Sequence, residues 1–227
     1  MKPAQNLPVK IVVRVFLIFV LLGLLLFLTA GSLRYTEAWI YISMLVVAAL
    51  FVITYFFRKD PGFIKSRLFN RREKKQMHRS IQNILSVVFI IGLFIPGFDF
   101  RFQWSNVPMT VVVISDACVF LGYMFIARVM EENRYASAII EITEEQKIIE
   151  TGPYKFVRHP MYTGGLIFIL FTPLALGSYW ALIPLSVCTV PALILRIIDE
   201  EKMLAAHFPG YDEFRKKTKY RLIPYVW

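Results

Sequence analysis

A chain of 227 residues with 57% hydrophobic residues and a mean hydropathy of +0.56 carries more apolar surface than a water-soluble core needs, since soluble domains sit near about 45–50% apolar. The net charge of +10 raises the question of nucleic acid, but the basic loop does not interleave aromatics with bases in the manner of a nucleic-acid surface. The apolar residues fall in long uninterrupted blocks, which excludes an ordinary soluble domain and leaves an all-α, polytopic membrane bundle.

From Ile11 to Ala30 only Arg14 is charged, and from Ala38 to Phe57 nothing is. Each block is about 20 residues, or roughly 30 Å as a helix, which matches the hydrocarbon core of a bilayer. The first block lacks a small-residue cleavage site and reads as a retained anchor. Between residues 58 and 79 nine basic residues face only Asp60 and Glu73, a loop suited to rest against anionic headgroups. A third block runs from Ile84 to Phe98 and a fourth from Val107 to Ala127. Asp116 lies near the middle of the fourth, where a carboxyl is expensive. It is expected to be neutral, or bonded to a neighbouring helix through groups such as Ser115.

The fifth and sixth blocks, Thr163 to Leu176 and Tyr179 to Leu195, are separated only by Gly177 and Ser178 and hold Pro173, Pro184 and Pro191. They predict a tight helical hairpin over 163–195, its prolines tolerated where neighbouring helices re-satisfy the freed backbone groups. Six spans are expected, or five if the hairpin does not cross fully. The chain divides into residues 1–130, with four helices and the basic loop 58–81, and residues 131–227, with the hairpin and a polar tail. Cys118 and Cys188 fall inside predicted spans as small apolar fillers, so neither a disulfide framework nor a metal site is expected.

With six spans, one side collects 24 of the 26 Lys and Arg residues, and only Arg34 and Arg101 fall on the other. That asymmetry predicts cytosolic termini.

Two polar regions on that same side are candidates for chemistry. The first contains Gln146-Lys-Ile-Ile-Glu-Thr-Gly-Pro-Tyr154 and Arg158-His-Pro-Met-Tyr162. Gly152-Pro153 marks a turn, and Pro160 suits the first turn of a helix, where its missing N–H costs nothing. His159 is therefore expected at the mouth of the fifth helix, whose free N–H groups can receive a ligand carboxylate. The plainer alternative makes Arg158 and His159 interfacial residues and Tyr162 an aromatic-belt anchor. The second region is Arg196-Ile-Ile-Asp-Glu200-Glu201. Arg196 and Glu200 share a helix face, but Arg before Glu is the weaker order for an intrahelical pair. They can serve different ligands instead, Arg196 forking onto an anionic group and Glu200 accepting hydrogen bonds from a polar cofactor. The segment from Phe208 through Pro224 is amphipathic and is expected to fold back over both regions, although its aromatics suit a membrane surface equally well.

At these residues, from about Asn133 to the C-terminus, the chain resembles the isoprenylcysteine carboxyl methyltransferase family of membrane enzymes. The Gly-Pro-Tyr turn, Arg-His-Pro-Met-Tyr-Thr-Gly, the Arg-x-x-x-Glu pair and the closing Tyr-Arg-Leu-Ile-Pro carry the resemblance. It implies S-adenosylmethionine as methyl donor, in a cytosolic pocket lined by His159, Pro160, Met161 and Tyr162, with Tyr154, Gln146, Lys147, Ile148 and Ile149 contributing. Glu200 would bind the cofactor and Arg196 would act as the catalytic residue, holding the carboxylate of a lipophilic or lipidated acceptor. The match is weakest at 146–149. Phospholipid methyltransferases, with an amine acceptor, and NADPH-dependent membrane sterol reductases carry related motifs. The reductases tend to have Asn and Glu where this chain has Met161 and Gly165. A non-catalytic membrane scaffold is the remaining alternative, and it predicts that no cofactor binds.

Overall fold

The computed structural model describes residues 7–60, 77–133 and 148–227, with side chains described for 11–60, 86–133 and 148–227. Among these residues the chain forms α1 (Leu7–Ala30), α2 (Thr36–Lys59), α3 (Met77–Phe102), α4 (Met109–Glu132), a 3-10 turn (Gly152–Lys155), α5 (Pro160–Ala175), α6 (Tyr179–His207) and α7 (Tyr211–Lys217). The only β pairing among them is one isolated bridge between Val157 and Tyr220. The expected all-α bundle is what forms.

Helices α1, α2, α4 and α6 are each long and apolar enough to cross a membrane. Helix α3 has 26 residues, about 39 Å at the usual rise. The apolar faces they leave outward, such as Val12, Phe16, Leu17, Leu21 and Leu28 on α1, are more than half exposed in most cases. Such a contiguous apolar exterior has hydrocarbon, not water, as its solvent.

Helix α5 is the short one, at 16 residues, and it opens a hairpin with α6 whose tip and base both make polar contacts. At its tip the Tyr35 hydroxyl donates to the Leu176 carbonyl, and the Ser178 hydroxyl donates to Asp99. Asp99 also accepts the Ser105 N–H at 2.6 Å and the Ser105 hydroxyl at 2.7 Å. The tip therefore meets the α1–α2 turn and the α3–α4 connection at one end of the molecule. The start of α5 meets the C-terminal tail at the other. Four of the helices among the described residues are long and apolar enough to cross a membrane, and α5 is a shorter apolar helix. Helix α6 goes further than its apolar block, continuing through Arg196 and Glu201 to His207.

Helix α5 lies along α4, α6 along α3, and α3 along α1. In lipid there is no hydrophobic force to press helices together, so small residues that let backbones approach matter more. Gly122 and Gly164 provide that approach. A Cβ added at Gly164 would stand 2.6 Å from Ile126 and 3.2 Å from the Gly122 carbonyl oxygen. Between α2 and α5 the Tyr41 and Thr172 hydroxyls meet at 2.9 Å, and Thr172 donates onward to the Phe168 carbonyl at 2.7 Å. Of the two alternatives expected for Asp116, neutral or bonded to a neighbouring helix, the bonded one does not form. It is 5% exposed, and neither carboxyl oxygen has a hydrogen-bond partner among the described residues, Ser115 included.

Replacing Gly164 by Ile should force α4 and α5 apart. Overpacking of this kind costs about 1–3 kcal/mol, so thermal unfolding in detergent should begin several degrees lower. An unchanged transition would mean that the two helices do not depend on that contact.

Candidate functional site

The site is assembled where α5 begins, α6 ends and the chain returns. His159 caps α5, with Pro160 as its first helical residue, as the sequence predicts. The tail then runs alongside this entrance. The Arg158 N–H donates to the Tyr220 carbonyl at 2.9 Å, and the His159 N–H donates to that of Arg221 at 3.0 Å. The Thr163 hydroxyl reaches the Leu222 carbonyl at 2.8 Å. Leu222 completes a small apolar cluster with Leu193 and Ile197, against which Tyr162, Leu166 and Trp227 pack. The segment from 208 onward thus does fold back onto both polar regions.

Glu201 stands at the centre, with its side chain 5% exposed. It accepts from Arg158 Nε at 2.6 Å and Arg221 Nε at 3.0 Å, and faces His159 Nε2 at 3.3 Å. Arg158 also donates through Nη1 to the carbonyls of Thr218 and Lys219, both at 2.9 Å. One carboxylate therefore holds the residue before α5, the residue that caps it and the returning tail.

One position earlier on α6, Glu200 points elsewhere. The Tyr162 hydroxyl donates to Glu200 Oε2 at 2.6 Å and accepts from Arg196 Nε at 2.7 Å. The Arg196 guanidinium lies 5.5 Å from the centre of the Tyr162 ring, within reach of a cation–π contact. The His159 ring stacks on the same tyrosine, with centroids 5.7 Å apart and planes at 24°. Arg196 and Glu200 are therefore not paired directly. A single phenol joins them.

Of the residues singled out from sequence, His159, Pro160, Met161, Tyr162, Arg196 and Glu200 lie together at this end, with His159, Pro160 and Arg196 buried and the others half-buried. Tyr154, in the 3-10 turn, adjoins the tail through the Thr218 hydroxyl, which donates to its carbonyl at 3.1 Å, and accepts the Asn133 amide at 2.9 Å. Ile148 and Ile149 are half-buried in the irregular stretch before it. They sit beside Glu150, which pairs with Lys217 of α7 at 2.8 Å and raises that lysine's pKa. Gln146 and Lys147 lie outside the described residues.

Sequence reasoning missed Glu201, Arg221, Thr218 and Tyr211, and gave Arg158 no role. A signal for the first existed. Glu201 is one residue on from Glu200, about 100° around the helix, so two adjacent carboxylates must face different partners. Tyr211 has no such signature. It is 3% exposed, and its hydroxyl has no hydrogen-bond partner among the described residues. Burial, and after it the charge of Glu201, pushes its pKa above the ordinary phenol value. It therefore keeps its proton, with no acceptor for it among the described residues.

This is the polar end of a helical membrane bundle, with charged groups gathered around one helix entrance. Residues 100–210 match the phospholipid methyltransferase family. Among curated proteins the chain is similar to a protein-S-isoprenylcysteine O-methyltransferase of Schizosaccharomyces pombe, 32% identical over 33% of this chain and 32% of that one. It is also similar to a methanethiol S-methyltransferase of Crocosphaera subtropica, 30% identical over 32% of this chain and 28% of that one. A third relative is the nickel-cobalt-cadmium resistance protein NccN of Alcaligenes xylosoxydans xylosoxydans, 25% identical over 51% of this chain and 52% of that one. The chain spans about half or less of the length of these curated relatives. The resemblance to membrane methyltransferases expected from the motifs is borne out. The matched stretch holds every residue from Arg158 to Glu201 but stops short of Tyr211, Thr218 and Arg221.

Replacing Glu201 by Gln should leave Arg158 buried without its counter-charge, a change that typically costs about 3–5 kcal/mol. The tail should come away from α5, so trypsin should cut near Lys219 and Arg221 much faster than in the unaltered protein. Equal cleavage rates would show that Glu201 does not hold the tail.

Proposed function

We propose that the protein is an integral membrane, S-adenosylmethionine-dependent methyltransferase, acting at its cytosolic face on the carboxylate of a lipophilic acceptor. The observation that carries this reading is the relay Arg196–Tyr162–Glu200, set beside the stacked His159 ring.

These residues suit the donor chemically. The donor's amino and ribose hydroxyl groups need acceptors, which Glu200 offers. Its carboxylate and ring nitrogens need donors, and Tyr211 holds a buried one in reserve. Met161 and Pro160 supply apolar contact. When bound, the donor supplies an electrophilic methyl group on sulfur, transferred by in-line displacement.

The chain's own task is then to position. A carboxylate acceptor is already ionised at neutral pH, so no residue has to remove a proton. Arg196 can fork onto that carboxylate, its direction fixed by the bond to Tyr162. Holding nucleophile and electrophile in line can contribute roughly 7–11 kcal/mol. An amine or thiol acceptor would instead require a base. His159 is the nearby histidine, and its Nε2 is turned to Glu201 at 3.3 Å. That engagement favours the carboxylate reading. Tyr154, Ile148, Ile149, Gln146 and Lys147 are proposed as further contacts of the donor, on the strength of the family resemblance.

Calorimetry on the purified protein in detergent should show S-adenosylmethionine binding and none of NADPH. Glu200→Ala should abolish that binding. Tyr162 donates to Glu200 whether or not Arg196 is present, so Arg196→Ala should spare binding and lose turnover. Equal loss of both in the arginine variant would remove the division of roles.

Tyr211→Phe gives an independent check. Deleting an unsatisfied buried hydroxyl costs little or even stabilises, so the ligand-free protein should melt no lower than the unaltered one. Donor affinity should fall roughly three- to tenfold, the worth of one hydrogen bond. Unchanged affinity would take Tyr211 out of the pocket.

A further inference from the structure

At the end of the bundle away from the polar site lies a cleft of about 520 Å³. Its walls are Ile95 of α3, Trp104 of the α3–α4 connection and Trp180 in the first turn of α6. That is room for a small-molecule group. Both tryptophans are more than half exposed, at 54% and 55%. Tryptophans are common where spanning helices meet the headgroups, and that preference accounts for their exposure. It does not account for the cleft they share, nor for what stands behind it.

Behind it stands Asp99, one turn from Ile95 on the same face of α3. Its backbone carbonyl accepts the Trp104 N–H at 3.2 Å, and Ser178, which donates to its carboxylate, lies two residues before Trp180. All three walls of the cleft therefore adjoin this one residue. Among the described residues the partners of the Asp99 carboxylate are the Ser105 N–H and the hydroxyls of Ser105 and Ser178, all of them neutral. A negative charge is thus buried at the back of an aromatic cleft with no counter-charge on it. Arg101 is turned elsewhere, its guanidinium beside Gly31 and 5.7 Å from the centre of the Phe102 ring. Trp104 is held in place by a column of rings. It stacks on Phe102 with centroids 5.6 Å apart and planes at 21°, and Phe102 stacks on Phe98 at 6.4 Å and 15°. To bring Trp104 back onto that column the backbone turns left-handed at Gln103, with φ of 55°, a conformation side-chain-bearing residues rarely adopt.

We propose that this cleft binds the trimethylammonium headgroup of a phosphatidylcholine-type lipid, in the leaflet opposite the polar site. A quaternary ammonium has no hydrogen bonds to donate and is drawn to the faces of indole rings. The charge of Asp99 adds attraction through a medium of low dielectric constant. A primary ammonium would give up hydration that walls of Ile95 and two indoles do not restore, and an anionic headgroup would be repelled. Two features favour a lipid over a free quaternary ammonium. Ile91, 56% exposed, continues the face of Ile95 one turn deeper into the span, where an acyl chain can lie. The exposed Arg101, at the same helix end, offers a partner for the phosphate. This site is independent of the methyl-transfer reading and stands or falls without it.

The test uses full-length protein in dodecyl maltoside with equal concentrations of phosphatidylcholine, phosphatidylethanolamine and phosphatidylglycerol, all with the same chains. Native mass spectrometry then counts the lipids retained. The choline lipid should be retained several-fold more than either of the others. Trp104→Leu and Trp180→Leu, both at exposed positions that the fold does not need filled, should each lower its retention roughly fivefold, the worth of one partly desolvated cation–aromatic contact. Retention of the other two lipids should not change. Trp180→Phe keeps an aromatic face and should restore most of the loss. Trp39→Leu removes another tryptophan of the same end, 49% exposed but outside the cleft, and should leave the choline lipid bound. Equal retention of the three lipids by the unaltered protein would overturn the proposal, as would a choline preference that survives both cleft variants. A loss just as large in Trp39→Leu would overturn it by assigning the preference to the interface at large. Loss of all three lipids together in the cleft variants would also overturn it, by making the cleft a seat for chains and not for a headgroup.

Discussion

The buried carboxylate of Glu201 is the constraint on which the polar end of the molecule depends. Three groups converge on it from two separate stretches: Arg158 and His159 at the start of α5, and Arg221 from the tail. Buried ion pairs rarely add net stability over an apolar replacement, because the desolvation of each charge offsets their attraction. What they do supply is a penalty for every other arrangement. With Glu201 fixed, the entrance of α5 can sit only beside α6, and the tail can lie only across both. Glu200 is then turned, by the pitch of α6 alone, toward Tyr162.

The opposite end follows the same logic with a different residue. Asp99, 1% exposed, gathers the Ser105 N–H, the Ser105 hydroxyl and the Ser178 hydroxyl. It thereby ties the α3–α4 connection to the hairpin tip. Between these two polar knots the helices meet through apolar side chains and glycines. Such contacts give packing but little register in a medium as apolar as the helices themselves. Each knot therefore fixes the axial position of α5 and α6 at its own end, and an apolar cavity of about 470 Å³ beside Gly165 can persist between them without the bundle collapsing into it. Asp116 is the exception to this division. It is a carboxyl in the middle region with no partner among the described residues, and nothing around it accounts for its presence.

How much of this was legible beforehand depends on the kind of signal. The helices were readable because lipid imposes a length and a polarity on every spanning segment, and Pro160 marked the start of α5 correctly. The candidate residues from His159 to Tyr162, with Arg196 and Glu200, were gathered correctly because they are local: four consecutive positions and one i, i+4 pair. Their connectivity was not legible. The Tyr162 phenol bridges Arg196 and Glu200 across 34 and 38 residues of sequence. Pattern reading saw only that the arginine preceded the glutamate in the unfavourable order. Glu201 was missed for the same reason. Its partners lie 43, 42 and 20 residues away, so its importance comes from the fold and not from its neighbourhood.

The bridge through Tyr162 has a consequence for how one end of a bundle can serve two ligands of opposite character. A polar donor and an apolar acceptor must meet, but each needs surroundings that would repel the other. A direct Arg196–Glu200 ion pair would satisfy both charges and leave neither for a ligand. With the phenol between them, Glu200 commits Oε2 to Tyr162 and the arginine reaches the same hydroxyl through its Nε. The ring keeps the two charges apart. Gly165, further along α5, borders the apolar cavity instead. The charged groups thus lie on the α5–α6 side of one short helix and the apolar walls on its α3–α4 side.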